Sequence, residues 1–215
     1  DMGANFNADF NIGSVVVVIS HGNNDHVGGL LGIESYIRIR KLISNRKDLS
    51  TKLPAQLCTY NKDWNWDGVE FRFLQSALDY SPENNNSCML QIRSKVGRVL
   101  LSGGIESEAE AQLERSYGRE LTSEVLLAPH HGNITLRVMP SSSASSRASW
   151  CSNSFGHPHG RVVTRYGEFA SKTLKTAQSG MISFEFSEEI NKNGDQMDQI
   201  IHISQYRKRN SRYWY

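Results

Sequence analysis

The feature that most constrains this chain is a β-branched run that ends at a group of histidines. Residues 15–19 read VVVVI, with no polar alternation, which is typical of a strand buried on both faces of a sheet. The run ends at Ser20, and residues 21–29 read HGNNDHVGG before apolar residues return at helical spacing over 30–37. A strand, a polar loop and a helix in this order predict an α/β fold. Sheets of that kind place ligand sites at the carboxyl ends of their strands.

The remaining apolar patterns predict strands with helices between them, in one domain. A chain of 215 residues, 38% hydrophobic and 21% charged, suits a single ordered domain. We read residues 38–55 as a polar connection, the serine-rich stretch 141–149 as a loop or weak helix, and Asp67-Gly68 as a turn. The architecture predicted is an αββα sandwich. The expected strands are 56–60, 69–74, 88–92, 98–101, 125–128, 180–186 and 199–204, and the expected helices are 106–117 and 162–169.

Six of the seven histidines fall in three short clusters, each close to a glycine. The clusters are His21 with His26, His130 with His131, and His157 with His159. Together with Asp25, these side chains are of the kind that can converge on Zn²⁺ or Mn²⁺. Structural roles stay open for some of them: Asp25 can serve as a helix N-cap, His130 as a hydrogen-bonded structural histidine, and His157 as part of the turn before Pro158.

Taken in order, these segments resemble the metallo-β-lactamase-like domain of ComEC-type DNA-uptake proteins. Residues 21–29 resemble the HxDxDH signature of that family, and residues 100–106, LLSGGIE, resemble its LLTGDIE segment. Further resemblance covers nearly the whole chain, in WNWDGV at 64–69, NNNSCML at 84–90, LAPHHG at 127–132, FGHPH at 155–159 and RYW at 212–214.

The resemblance implies a hydrolytic metal site and assigns roles to particular residues. The implied metal ligands are His21, Asp25, His26 and His131, with Mn²⁺ or Zn²⁺ as the ion. The implied catalytic residues are Asp25, His131 and His159. The implied substrate-binding residues are His130, His157, His159, Asn84 and Ser87.

Two positions depart from the pattern of the family. Asn23 stands where the signature has its first carboxylate, and Gly104 stands where the family has an aspartate that can bridge two ions. A neutral amide is a poorer ligand than a carboxylate for a hard cation, and glycine offers no side chain. We therefore expect at most one metal ion per chain, or none bound.

Three functions follow from the resemblance and its departures. The first is a nuclease-like domain of a DNA-uptake channel, which hydrolyses phosphodiesters of the strand that is not imported. The second is a weakened or inactive module of the same channel that guides DNA. The third is a small-molecule metallohydrolase. The expected setting is the periplasmic face of the inner membrane, with residues 1–215 forming one domain, short of its first strands, excised from a larger membrane protein. DNA and the channel portion of that protein are the expected partners, without lipid contact.

Two further features carry expectations of their own. Cys58, Cys88 and Cys151 fit no zinc-finger spacing, so two could pair outside the cytoplasm or all could be buried as small apolar residues. The resemblance implies a bridge between Cys58 and Cys88, with Cys151 free. Basic and aromatic side chains mix over residues 206–215, which favours either contact with single-stranded DNA or a solvated tail.

Overall fold

The computed structural model describes residues 15–49, 51–75, 83–132, 147–150, 158–168, 172–190 and 197–210. Within these ranges the strands are β1 (Val15–Val18), β2 (Ile39–Ser44), β3 (Gln56–Leu57), β4 (Trp64–Trp66), β5 (Val69–Leu74), β6 (Met89–Ser94), β7 (Gly97–Leu101), β8 (Val125–Leu127), β9 (Arg147–Trp150), β10 (Lys172–Lys175), β11 (Ile182–Ile190) and β12 (Met197–Gln205). The α-helices are α1 (Asn24–Val27), α2 (Leu30–Tyr36), α3 (Ser107–Tyr117), α4 (Gly160–Glu168), α5 (Thr176–Ser179) and α6 (Tyr206–Arg209).

The described strands form two larger sheets and one hairpin. The first sheet has the order β1-β2-β3, and its strands are parallel. The second has the order β10-β9-β8-β7-β6-β5-β4; it is parallel from β10 to β7 and antiparallel from β7 to β4. Among the strands of the described residues, β11 and β12 pair only with each other. The hairpin packs Phe186 against Gly97, where an added Cβ would lie 2.5 Å from the ring.

The two larger sheets pack face to face through one apolar cluster. Side chains alternate across a strand, so one face of each sheet can turn toward the other sheet. That shared cluster includes Val16, Val18 and Ile43 of the first sheet and Phe73, Leu90 and Leu101 of the second. The continuous apolar run of β1 is therefore explained, because its two sets of valines enter two different clusters.

Helices cover the outer face of each sheet. Helix α2 places Leu30 against Ile19 and Leu42, which alternate with the residues that face the second sheet. On the far side, α3 contributes Ala109 and Leu113 to a cluster with Leu74, Met89, Leu100 and Leu126, and α4 adds Val162 and Tyr166. The helical spacing of these apolar positions is what lets each helix bury one stripe.

A disulfide bond links the two sheets at the edge of the cluster they share. Cys58 follows β3, Cys88 precedes β6, and their Cα atoms lie 5.8 Å apart. The predicted pairing is confirmed. Cys151, expected to be free, lies outside the described residues.

Most predicted elements are found, with some differences. The α/β class is confirmed. The prediction of a polar connection at 38–55 is wrong, because strand β2 lies within it and its Leu42 and Ile43 are buried. The strand predicted at 56–60 ends at Leu57 and continues as a 3-10 turn. Part of the serine-rich stretch is strand β9, which pairs with β8.

No helix in the described part of the chain is long and apolar enough to cross a membrane.

The disulfide predicts a measurable share of the stability. The bridged cysteines are separated by 30 residues, and closing a loop of that size in the unfolded chain contributes about 3–4 kcal/mol on the chain-entropy account. We expect Cys58→Ala with Cys88→Ala to lower the free energy of unfolding in urea by about that amount. Reducing the unmodified protein should give a similar loss. An unchanged midpoint after reduction would contradict this account.

Candidate functional site

Four loops meet at one edge of the structure because of the directions of their strands. Strands β7 and β8 run parallel, so their carboxyl ends lie side by side. Strand β6 runs antiparallel to β7, so its start lies at that same edge, with Leu90 opposite Leu101. The first sheet joins this edge through the backbone N–H of Cys88, which donates to the carbonyl of Ser20 at 2.7 Å. The loops that follow β1, β7 and β8 and precede β6 are thereby brought together.

Three of the predicted metal ligands converge at this edge. The Nε2 atoms of His26 and His131 lie 3.3 Å and 3.1 Å from the same oxygen, Oδ2 of Asp25. One potential donor atom from each residue lies within 4.8 Å of the others. Two imidazole nitrogens and a carboxylate oxygen form a donor set that both Zn²⁺ and Mn²⁺ accept.

The turn that carries His131 is held in an unfavourable backbone conformation. Both His130 and His131 have positive φ, 42° and 55°, which is uncommon for residues other than glycine. Such conformations cost on the order of 1 kcal/mol or more each and persist only where the surroundings impose them. The N–H of His130 donates to the carbonyl of Gly103 at 2.9 Å, and Gly132 accepts from the N–H of His159 at 3.0 Å. These bonds anchor both ends of the turn.

His21 lies beside the three converging residues but is not one of them. Its side chain is 2% exposed, its ring centroid is 4.2 Å from that of His26, and its Nδ1 lies 3.0 Å from Oγ of Ser20. Burial, reinforced by the neighbouring His26, lowers the pKa of His21 to about 4. The imidazole of His21 is therefore neutral at physiological pH.

Gly104 lies directly against the ring of His21. A Cβ added at Gly104 would lie 2.7 Å from Cε1 and 2.9 Å from Nε2 of His21. The ring therefore occupies the space that a larger side chain at position 104 would need. An aspartate at this position would require His21 to move, so the glycine at 104 and the position of the His21 ring are structurally coupled.

A series of polar contacts between side chains lies beside the three converging residues. Nδ1 of His130 lies 3.0 Å from Oε1 of Glu106. On its other side, Nε2 of His130 lies 3.5 Å from Nδ2 of Asn84, and Oδ1 of Asn84 accepts from Nδ2 of Asn23 at 3.1 Å. Asn23 thus bonds to an amide, and His130 has a carboxylate partner.

The other predicted substrate-binding residues differ in position. Ser87 bonds to the backbone, since its Oγ donates to the carbonyl of Asn84 and accepts from the N–H of Gly104. His159 is exposed and reaches the site edge through its backbone bond to Gly132. His157 lies outside the described residues.

Burial and neighbouring charges set the protonation of the site. Burial lowers the pKa of His26 and of His130, and the nearby Asp25 and Glu106 respectively only partly oppose it. Burial disfavours the charged form of Asp25, but His26 and His131 outweigh it, so the pKa of Asp25 lies below its ordinary value. The charged form of Asp25 and the neutral form of His26 are the forms that bind a divalent ion.

Two residues of the site were not predicted from the sequence. Glu106 follows the Gly-Gly turn after β7, and the only signal for it was its place at the end of the LLSGGIE segment. Ser20 lies within reach of both His21 and His26, with Oγ 3.4 Å from Nδ1 of His26. A serine at the end of a strand carries no distinctive signal.

Comparisons with known proteins point to the ComEC family of competence proteins. The chain is 28% identical over 182 residues to Recombination protein 2 of Haemophilus influenzae, and this match covers 80% of the chain. It is 30% identical over 176 residues to Competence protein ComA of Neisseria gonorrhoeae and 27% identical over 179 residues to Uncharacterized protein YcaI of Escherichia coli, covering 78% and 80% of the chain. It spans only 22–25% of the length of these curated relatives. No protein-family model matches the chain.

The contact between Gly104 and His21 predicts a coupled effect on stability. Gly104→Ala forces a close contact with a buried ring, so we expect a loss of about 1–3 kcal/mol in the free energy of unfolding. In a His21→Ala background the loss should fall to less than half. Gly32→Ala, in α2 with open space around it, is the matched control and should be neutral or stabilising. Equal losses in both backgrounds would contradict the coupling.

The lowered pKa of His21 predicts a dependence of stability on pH. The unfolded chain binds the His21 proton near pH 6.5 and the folded chain only near 4. Between these values the unfolded state binds more protons, so acidification destabilises the fold. Stability is full above about pH 6.5, and about 3 kcal/mol is lost by pH 4.

The measurement is urea unfolding at several pH values with a chelator present. We expect His21→Gln to flatten the profile. His202→Gln, on an exposed strand position, should leave it unchanged. A profile for His21→Gln as steep as that of the unmodified protein would contradict this assignment.

Proposed function

We propose that this chain is a metal-dependent nuclease-like domain of a DNA-uptake protein, with a metallo-β-lactamase-like sandwich fold. The observation that carries the proposal is the convergence of Asp25, His26 and His131 at the carboxyl edge of the strands. The order of helix, sheet, sheet and helix in the packing clusters supports the sandwich. The names of the relatives support the setting in competence.

The donor set fits one divalent ion. Asp25, His26 and His131 would hold it, and His21 lies beside them, against Gly104. An ion held there lowers the pKa of a bound water toward neutrality and polarises a phosphoryl oxygen. A second ion has no bridging carboxylate at position 104, which favours a single-ion site.

The surrounding residues of the chain supply orientation and proton handling. Oε1 of Glu106 lies 3.0 Å from Nδ1 of His130 and would stabilise the protonated imidazole, whose Nε2 could then donate to a phosphate oxygen of the substrate. His159, exposed just before α4, is the proposed general acid that protonates the leaving oxygen. His21 stays neutral and buried, so its proposed contribution is to position His26 through Ser20.

The setting of the parent protein is also part of the proposal. The chain spans about a quarter of its curated relatives, so we propose that it is one domain of a larger membrane protein. We place it on the periplasmic side, where the disulfide would persist. The proposed substrate is the DNA strand that is not imported.

The contacts at Asn23 and Gly104 favour a second candidate function, a DNA-guiding module. Asn23 is bonded to Asn84, and the ring of His21 fills the space at Gly104. Both arrangements favour a domain that has lost part of its metal site and guides DNA without cutting it.

The test measures metal content and DNA hydrolysis on the same preparations. For an active domain we expect about one Mn²⁺ or Zn²⁺ per chain and Mn²⁺-dependent hydrolysis of DNA. Asp25→Asn and His131→Gln should each reduce the rate by about 100-fold or more, because each removes a ligand. His202→Gln is the matched control, since that histidine also pairs with a carboxylate, Glu189, away from the site.

Three outcomes would contradict the leading proposal. Two stoichiometric ions would exclude the single-ion site. Hydrolysis that persists in Asp25→Asn would locate the chemistry elsewhere. Absence of DNA hydrolysis with retained hydrolysis of a lactam or thioester would assign the chain to small-molecule metallohydrolases.

A further inference from the structure

A groove opens between the two larger sheets, away from the histidines. It encloses about 280 Å³ and is lined by residues of β1, β2 and β4, namely Val16, Arg40, Lys41, Ile43, Trp64, Asn65 and Trp66. Its floor is apolar, since Val16, Ile43 and Trp64 belong to the cluster between the sheets. Its rim combines two cations with an indole ring.

A β-bulge in β2 aims one of these cations into the groove. Val15 pairs with Ile39 but Val16 pairs with Lys41, so Arg40 is an extra residue in the strand. A bulge of this kind changes which face the following side chains occupy. As a result Ile39 packs toward helix α2 in the outer cluster, while Lys41 lines the groove on the inner face.

The aromatic side of the groove consists of packed rings, of which that of Trp66 is exposed. Trp64 stacks on Phe71 with ring centroids 4.9 Å apart and an interplanar angle of 5°. Trp66 packs edge-on against the same Phe71 at 5.9 Å and stays 54% exposed. The Asp67-Gly68 turn, with both residues at positive φ, fixes this short hairpin. Trp66 is therefore an exposed ring held in place by its neighbours.

The charge and chemistry of the groove match a nucleic acid strand. No carboxylate lines it, and among the described residues neither Arg40 nor Lys41 forms an ion pair. Cations that track phosphates beside an exposed aromatic ring are what single-strand binding sites use, because every base has a face that stacks. A duplex keeps its bases stacked internally and offers none to Trp66.

We propose that this groove binds single-stranded DNA, with a base stacked on Trp66 and phosphates on Arg40 and Lys41. The choice of DNA as the polymer rests on the proposed function. Val16, which lines the groove, precedes His21 by five residues, so their Cα atoms are at most about 16 Å apart. The groove would bind the DNA strand separately from the candidate metal site.

The test is fluorescence anisotropy of a labelled oligothymidine with the 215-residue chain, in chelator. Trp66→Ala should weaken binding at least about fivefold. Arg40→Ala with Lys41→Ala should lower the slope of log affinity against log salt by about 1.4, for two phosphate contacts. Lys47→Ala with Lys52→Ala removes two exposed cations elsewhere and should change the slope much less. A duplex of equal length should bind more weakly.

The groove assignment is overturned if Trp66→Ala, folded by circular dichroism, binds like the unmodified chain. It is also overturned if Tyr206→Ala with Lys208→Ala removes the binding instead, since that result would locate it on the C-terminal tail. Binding in chelator needs no hydrolysis, so a failed groove leaves the hydrolytic proposal standing. If hydrolysis persists in Asp25→Asn, the hydrolytic proposal fails, but the binding measured at the groove still stands.

Discussion

The arrangement of this molecule depends on the apolar packing of β1 on both of its faces. Val16 and Val18 pack toward the second sheet, whereas Val17 and Ile19 pack toward α2. Because apolar side chains occupy both faces of the strand, the polar residues that follow this run lie at the end of the strand. That constraint places the loop carrying Asp25 and His26 at the edge where β7 and β8 also end.

The site at this edge combines one neutral buried histidine with residues closer to solvent. Burial lowers the pKa of His21 and keeps its ring packed against Gly104. Asp25, in contrast, is exposed and lies within reach of two imidazoles. The strained turn at His130 and His131 is retained because backbone bonds to Gly103 and from His159 anchor it. The site is therefore built as much by backbone geometry as by its side chains.

The groove and the candidate metal site lie toward opposite ends of β1, because Val16 lines the groove and Asp25 and His26 follow the carboxyl end of the strand. Both depend on the packing of the two sheets. The Cys58–Cys88 bond joins the sheets near the metal site, and the stacked rings of Trp64 and Phe71 lie beside the groove. A single strand of DNA that contacts Arg40 and Lys41 would lie on the sheet pair whose other edge carries Asp25. Binding and hydrolysis would then be separable functions of one scaffold.

The sequence by itself determined a strand at 15–19, helices at 106–117 and 162–169, and the histidine clusters, because periodicity and residue type are local properties. The structure has these elements at 15–18, 107–117 and 160–168. Strand β2 was missed because Arg38, Arg40 and Lys41 mask its apolar residues, and the bulge that separates the two faces is visible only in the pairing. Tertiary structure alone decided that Glu106 meets His130, that His21 lies against Gly104 and that Trp66 lines one groove with two cations. These contacts join residues distant in the chain, and their distances follow from how the sheets pack.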